Sequence, residues 1–222
     1  MKEIAANGGV ITHDDLKAYA AVRRAPILGT YRGYDIISMP PPSSGGVTMV
    51  QMLNVLEGYD LAASGFGSAR TLHLMAEAMR RAYANRARYL ADPDFNPDMP
   101  IADLLSKAYA TRVRDSIDGN AASPSDPSRF SWGYESPETT HFSVVDGARN
   151  AVSVTYTLEY GYGSGIVVPG AGFLLNNEMG DFNAKPGLTD TQGLIGTAPN
   201  LAEPGKRMLS SMSPTIVAKD GA

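Results

Sequence analysis

Apolar residues recur with two different periods along the chain, which predicts helices in its middle and a β-hairpin further on. A period of three to four residues covers 69–90 and 101–117, so each segment is predicted to form one helix. On the first helix we expect six residues to form the apolar face and four arginines to lie largely on wetter faces. The six are Leu72, Met75, Ala76, Met79, Tyr83 and Leu90, and the arginines are Arg80, Arg81, Arg86 and Arg88.

Shorter elements are predicted before these helices. Thr12, followed three residues later by the acid Asp15, is typical of a helix N-cap, and Tyr19 is the expected end of that helix. Two strands joined by Arg32-Gly33, a rigid proline elbow and a further helix are predicted next. They cover 27–31, 34–39, 40–46 and 47–56.

A second period, strict alternation, appears in 139–145 and again in 151–157, on either side of the turn-rich loop 146–150. This pattern predicts a β-hairpin. If Val145 pairs with Ala151 and no bulge intervenes, Thr139 lies directly opposite Thr157 and shares its face. Taken alone, the pair is compatible with a purely structural cross-strand contact.

A threonine at the head of such a strand becomes a nucleophile if the chain is cut before it. Cleavage between Glu138 and Thr139 would release an α-amine with a reference pKa of about 7.7 to 8.0, which can accept the proton of the Thr139 hydroxyl. The Thr157 hydroxyl would then hold the nucleophile's rotamer and shuttle a proton. His141 shares the face of Thr139 by parity, but a free amine makes a histidine base unnecessary.

Composition excludes some classes of function. With 222 residues and 43% apolar content the chain can bury one substantial core, and its net charge of −4 argues against a nucleic-acid surface. No apolar run is long enough to span a membrane. The chain has no cysteine, which suits exported and cytosolic proteins alike. The polar segment 176–181 lacks the spacing of a calcium loop, and we predict no metal and no other cofactor.

Several motifs occur in a fixed order along nearly the whole chain. They lie at 38–46, 77–86, 92–95, 139–145, 150–153, 163–165, 174–179, 181–182 and 206–217. Together they closely resemble the γ-glutamyltranspeptidases, also known as glutathione hydrolases. The resemblance implies an N-terminal-nucleophile hydrolase, made as an inactive precursor that cuts itself between Glu138 and Thr139. It also aligns Thr139 with the family nucleophile and Thr157 with the threonine that hydrogen-bonds it.

The resemblance also implies the fold, which is an αββα four-layer sandwich of the α+β class, present here in part. Helices followed by strands favour the same class. Residues 1–138 would be the C-terminal part of a large subunit and 139–222 the N-terminal part of a small one, and the two together would form one structural domain. The chain is thus expected to be an internal fragment, without the family's carboxylate-binding arginine at the front and its oxyanion glycines at the end.

Substrate-binding residues follow from the same resemblance, because a γ-glutamyl donor carries an α-ammonium and an α-carboxylate. Glu178 and Asp181 match the acids that bind the ammonium. Glu159 occupies a further amine-contacting position, where many members have asparagine. Ser210 and Ser211 match the serines that hydrogen-bond the carboxylate.

The expected function is transfer or hydrolysis of γ-glutamyl groups from glutathione and similar amides, with an amino acid or water as acceptor. The two subunits would stay associated, in the periplasm or outside the cell. Segment 185–200 resembles the family's lid loop, which favours small substrates over polymers. One alternative is a related acylase acting on glutaryl-cephalosporins or poly-γ-glutamate. The other is a noncatalytic fragment that keeps only the core of the fold.

Overall fold

The computed structural model describes residues 1–124, 139–183 and 198–220, and these form a mixed α+β structure. Helices α1 to α7 cover Lys2–Ala6, His13–Ala18, Gly45–Leu56, Leu61–Ser64, Ala69–Tyr89, Ile101–Leu105 and Lys107–Asp115. Strands β1 to β5 cover Ile27–Tyr31, Tyr34–Ser38, Thr140–Val145, Ala151–Tyr156 and Thr215–Ala218. Within the described ranges, no helix is both long enough and apolar enough to cross a membrane.

The predicted N-cap of α2 is confirmed. The Thr12 side chain accepts a hydrogen bond from the backbone N–H of Asp15, and the Asp15 carboxylate accepts one from the backbone N–H of Thr12 at 2.7 Å. This reciprocal pair satisfies two backbone donors that the first turn of a helix leaves open. Tyr19 follows the helix as its C-cap, as the sequence predicted.

A three-stranded antiparallel sheet has the strand order β1-β2-β5. The first two strands form the predicted hairpin, with Ile27 opposite Ser38. Strand β5 then pairs with β2, so that Ser38 lies opposite Thr215 although the two are far apart in sequence. This pairing brings the residues just before Thr215 next to the proline elbow that follows β2.

Helix α3 covers this sheet and makes the main core. Val47 and Val50 of α3 are buried against Ile27 and Ile36 of the sheet. The same core includes Leu90, Leu104 and Leu209. Because Leu209 immediately precedes Ser210, the predicted carboxylate-binding serines follow directly from a residue anchored in the core.

The predicted apolar face of α5 is wrong, although the predicted extent of the helix is nearly right. Leu72, Met75, Met79 and Tyr83 are 57, 41, 45 and 45% exposed, and Ala76 is exposed too. Of the six residues only Leu90, just past the end of the helix, is buried. Instead, α5 packs against α3 through a different stripe, because small side chains let two helices approach closely. The buried residues are Thr71, Leu74, Glu77, Ala78, Ala82 and Arg86.

Arg86 therefore does not lie on a wetter face, as was predicted, but is only 5% exposed. Arg88 is exposed, and Arg80 and Arg81 are partly buried. The helical period could not distinguish Arg86 from the other three arginines, because the burial of Arg86 depends on polar partners supplied by distant segments.

The segment 101–117, predicted as one helix, is divided into α6 and α7. Ser106 lies between them in an extended conformation, and its side chain accepts a hydrogen bond from the backbone N–H of Tyr109 at 3.0 Å. Serine is favoured at such an N-cap because its hydroxyl satisfies a backbone donor at the start of the new helix. A continuous apolar period concealed this break.

The late hairpin has the predicted register. Val145 lies opposite Ala151, and the pairing continues without a bulge to Thr140 opposite Tyr156. The two strands form a sheet of their own, which meets the larger sheet where the backbone N–H of Thr215 donates to the Ser153 hydroxyl at 3.1 Å.

Candidate active site

The open end of the β3-β4 hairpin carries the two threonines singled out by the sequence. Thr139 is exposed and stands one position beyond the last observed pair, in line with Thr157. The Thr157 hydroxyl accepts a hydrogen bond from the backbone N–H of Glu159 at 2.9 Å. No hydrogen bond joins the two hydroxyls of these described residues. Glu138, the other half of the predicted cleavage site, lies outside the described residues.

His141 lies on the same face of the hairpin as Thr139. One ring nitrogen is 2.7 Å from the hydroxyl of Thr155, directly across the ladder, and the other is 3.3 Å from the hydroxyl of Ser143. These contacts hold the imidazole among neighbouring hydroxyls. In this arrangement the ring stabilises the polar face of the hairpin.

Beyond Thr157 the chain runs directly into a cluster of acids. The backbone N–H of Asn177 donates to the carbonyl of Leu158 at 3.1 Å, and the backbone N–H of Tyr160 donates to the side chain of Asn177 at 3.1 Å. These bonds place Glu159 beside the 3₁₀ turn Glu178–Asp181.

Glu159 lies directly over that turn. A Cβ atom at Gly180 would be only 2.3 Å from a carboxylate oxygen of Glu159, so a side chain at position 180 would occupy the same space. The three predicted amine-binding acids Glu159, Glu178 and Asp181 are thus brought together by the fold.

The cluster holds negative charge in partly buried surroundings. Burial and the charges of Asp181 and Glu159 raise the pKa of Glu178 to about 7. One buried oxygen of Glu178 has no hydrogen-bond partner among the described residues. A cation entering the cluster would relieve the repulsion among the carboxylates, so the site is suited to an ammonium group.

Ser210 and Ser211 lie in a loop held by the predicted proline elbow. The backbone N–H of Ser210 donates to the carbonyl of Pro42 at 3.0 Å. The carbonyl of Ser210 accepts from both the backbone N–H and the hydroxyl of Ser44, at 2.8 and 2.9 Å. The Ser43 hydroxyl adds a bond of 2.6 Å to the carbonyl of Met212. We refer to residues 210–212 as the serine loop.

Asn200 links the acid cluster to the serine loop, a role that the sequence had not indicated. It is the last residue of the predicted lid segment 185–200, of which residues 185–197 lie outside those that the structure describes. Its side-chain amide donates to the carbonyl of Asp181 at 2.7 Å, and its side-chain oxygen accepts from the backbone N–H of Leu209 at 3.0 Å. The residue is only 3% exposed. The two predicted subsites, one for an ammonium and one for a carboxylate, are therefore joined through one buried side chain.

A buried acid on α5 holds residues 123–124, which come before the predicted cleavage site in the chain. Glu77 of α5 accepts hydrogen bonds from Arg81 and from the backbone N–H and hydroxyl of Ser123. Burial alone would raise the pKa of Glu77, but the bonds from Ser123 and Arg81 lower it to about 2. Arg80 also donates to the carbonyl of Pro124 at 2.7 Å, so the last described residues before 139 are tied to α5.

Comparison with known proteins gives the same family along the whole chain. A family model described as "Gamma-glutamyltranspeptidase" matches residues 1–222. The "Glutathione hydrolase proenzyme" of Escherichia coli (strain K12) is 55% identical over 223 residues, which cover 99% of this chain and 38% of the relative. The chain thus spans less than two fifths of the length of this curated relative.

The fold also resembles solved structures of other proteins. The crystal structure of Helicobacter pylori γ-glutamyltranspeptidase matches with a TM-score of 0.54 and 48% identity, covering 55% of this chain and 35% of that one. The cephalosporin acylase from Bacillus halodurans matches with a TM-score of 0.77 and 28% identity, covering 98% of this chain and 36% of that one.

Proposed function

Because this chain belongs to the γ-glutamyltranspeptidase family, we propose that the full protein transfers or hydrolyses γ-glutamyl groups from glutathione and related amides. The observation that carries the proposal is the link through Asn200 between the acid cluster and the serine loop. A γ-glutamyl donor carries a positive ammonium and a negative carboxylate on the same α-carbon. Its recognition requires an anionic and a hydroxyl-rich subsite side by side.

The acid cluster is the ammonium subsite of this proposal. Glu178 and Asp181 accept hydrogen bonds from the donor's ammonium, and Glu159 adds a third carboxylate from the neighbouring segment. The raised pKa of Glu178 means that the empty site holds its charges at a cost, which the bound cation removes.

The serine loop is the carboxylate subsite. The Ser210 hydroxyl accepts a hydrogen bond from the backbone N–H of Met212 at 3.1 Å, and among the described residues it donates none. Its proton is thus available to a carboxylate oxygen. Ser211, which is exposed, offers a second hydroxyl beside it.

The chemistry begins with cleavage between Glu138 and Thr139, which frees the α-amine of Thr139. That amine takes the proton of the Thr139 hydroxyl as the oxygen attacks the donor's γ-carbonyl, and it passes a proton to the leaving amine. Thr157 supports the nucleophile from across the hairpin. Water or an amino acid then attacks the ester, regenerates the Thr139 hydroxyl and carries away the glutamyl group. The amine is the base, so this sequence uses no metal or cofactor.

This proposal includes the αββα sandwich, with 1–138 and 139–222 as parts of a large and a small subunit within one structural domain. It also includes export to the periplasm or the cell exterior. The mixed α+β structure supports the fold, and the description of the Escherichia coli relative as a proenzyme supports cleavage.

Intact-mass spectrometry tests the first step. We would study a chimaera in which this chain replaces the matching part of the Escherichia coli relative, alongside its Thr139→Ala variant and the chain alone. We expect the chimaera to give two pieces divided between Glu138 and Thr139, and the variant to stay whole. Glutamate release from a γ-glutamyl anilide that is unaffected by Thr139→Ala would contradict the proposal. If the chain alone stays uncut while the chimaera is processed, the chain by itself is an inert precursor core.

An acylase that removes glutaryl groups is the second candidate, supported by the likeness to the cephalosporin acylase. The two functions differ at the acid cluster, because a glutaryl group lacks the α-ammonium. Comparing γ-glutamyl and glutaryl anilides as substrates of the chimaera separates them. We expect a clear preference for the γ-glutamyl donor, and faster release from the glutaryl anilide would favour the acylase instead.

A further inference from the structure

The buried Arg86 on α5 reaches the serine loop at two points. Its Nη2 donates to the Ser211 hydroxyl at 3.1 Å. Its Nε donates to the Ser44 hydroxyl at 2.9 Å, and that hydroxyl in turn donates to the carbonyl of Ser210. One guanidinium thus holds one serine of the loop directly and the other through Ser44.

These bonds determine the direction in which the Ser211 hydroxyl can donate. A serine hydroxyl has one proton and two lone pairs, and Arg86 occupies a lone pair of Ser211. Within the described ranges, the Ser211 hydroxyl donates no hydrogen bond. A positively charged donor also polarises the hydroxyl and makes its proton a stronger donor. The proton is therefore directed to an acceptor outside the loop.

We propose that Arg86 is a positioning residue for the donor's α-carboxylate, acting through Ser211 and through Ser44 on Ser210. This inference rests on the proposed function and adds to it a residue that never touches substrate. Arginine suits the task because its rigid planar fork can serve two acceptors at once. A lysine would keep the charge, but its single ammonium cannot reproduce the fork.

The test measures whether the loss of kcat/KM caused by Arg86→Gln depends on the α-carboxylate of the donor. Two donors are compared on the chimaera, a γ-glutamyl anilide and the matching 4-aminobutyryl anilide, which keeps the amine and lacks the α-carboxylate. We expect kcat/KM for the first to fall by ~10- to 100-fold, the usual effect of losing a hydrogen bond to a charged group. The second should change by less than about threefold. Most of the loss should appear in KM.

Three further variants sharpen the result. Arg88→Gln removes an exposed arginine two positions along the same helix and should leave kcat/KM unchanged for both donors. Arg86→Lys should recover only part of the loss. In Ser211→Ala protein, the added Arg86→Gln change should cost much less than it does alone, because part of the arginine's action passes through Ser211.

Equal losses for both donors would overturn the proposal, because Arg86 would then serve only to maintain the fold. No loss for either donor would also overturn it. If the unsubstituted chimaera turns over neither anilide, the proposed function has failed, and the inference is judged by calorimetric binding to the Thr139→Ala chimaera. In that case Arg86→Gln must weaken binding of L-glutamate and spare 4-aminobutyrate, and any other pattern rejects it.

Discussion

Glu178 shows how the fold changes the chemistry of a single residue. The sequence predicted an acid that binds an ammonium, and its role remains a prediction. The structure adds that burial and the charges of Asp181 and Glu159 raise the pKa of this acid to about 7, far above the ordinary 4.5. Ionised Glu178 is therefore unfavourable in the empty folded protein, and the folded state holds its proton more tightly than the unfolded chain does.

The stability of the folded chain should therefore depend on pH. Between pH 4.5 and 7 the folded state binds more protons than the unfolded one, so the contribution of Glu178 to stability falls as the pH rises through this window. We expect Glu178→Gln, which cannot ionise, to raise Tm above pH 7 and to leave it nearly unchanged below pH 4.5. Thermal unfolding across this range measures the effect.

Glu203→Gln is the control for that experiment. Glu203 is exposed and pairs with Lys206 at 2.7 Å, so its loss should bring no gain at high pH. A Glu178→Gln protein that is no more stable than the parent at pH 8 would show that burial and the neighbouring acids do not make ionised Glu178 unfavourable, as the structure implies.

Helix α5 shows the limits of a pattern at the scale of one element. Its extent was predicted within one residue, because helix periodicity is a local signal. The buried face of the helix was not predicted correctly. Two stripes of its surface could have packed against the core, and most of the larger apolar side chains lie on the stripe that is exposed. The stripe that α3 accepts contains Ala78 and Ala82, whose small size permits close packing.

Two leucines on this helix provide a matched test. Leu74 is 2% exposed and Leu72 is 57% exposed, two positions apart. We expect Leu74→Ala to lower the free energy of unfolding by ~2 to 4 kcal/mol, because it leaves a cavity on the buried face of α5. Leu72→Ala should cost less than about 1 kcal/mol. Urea denaturation of both variants measures the difference, and a larger loss at Leu72 would contradict the observed face.

At the scale of the whole molecule, the contact between the elbow and the serine loop joins segments far apart in the chain. Gly45, the first residue of α3, lies against this loop. A Cβ atom there would be 2.3 Å from the carbonyl oxygen of Met212 and 2.3 Å from the hydroxyl of Ser213. The backbone oxygen cannot move aside without displacing the loop that carries Ser210 and Ser211.

Gly45→Ala should therefore destabilise the protein although alanine is the better helix former. The helix preference favours alanine by at most ~1 kcal/mol, whereas forcing an atom into a packed site costs ~1 to 3 kcal/mol or more. We expect a net loss of about 1 to 2 kcal/mol in urea denaturation. Gly119→Ala is the control, since nothing lies within 4 Å of its Cβ position. Equal stability of the Gly45→Ala protein and its parent would show that the loop does not press on the elbow.

By itself the sequence determined what depends on neighbours along the chain: the Thr12 cap, the elbow, the extent of α5 and the hairpin register. It also carried the motifs of the family. Only the tertiary structure decided which face of α5 is buried, that Arg86 supports the serine loop, and that Asn200 joins the two subsites. These three features depend on contacts between distant segments, and the periodicity of one segment does not record what packs against it.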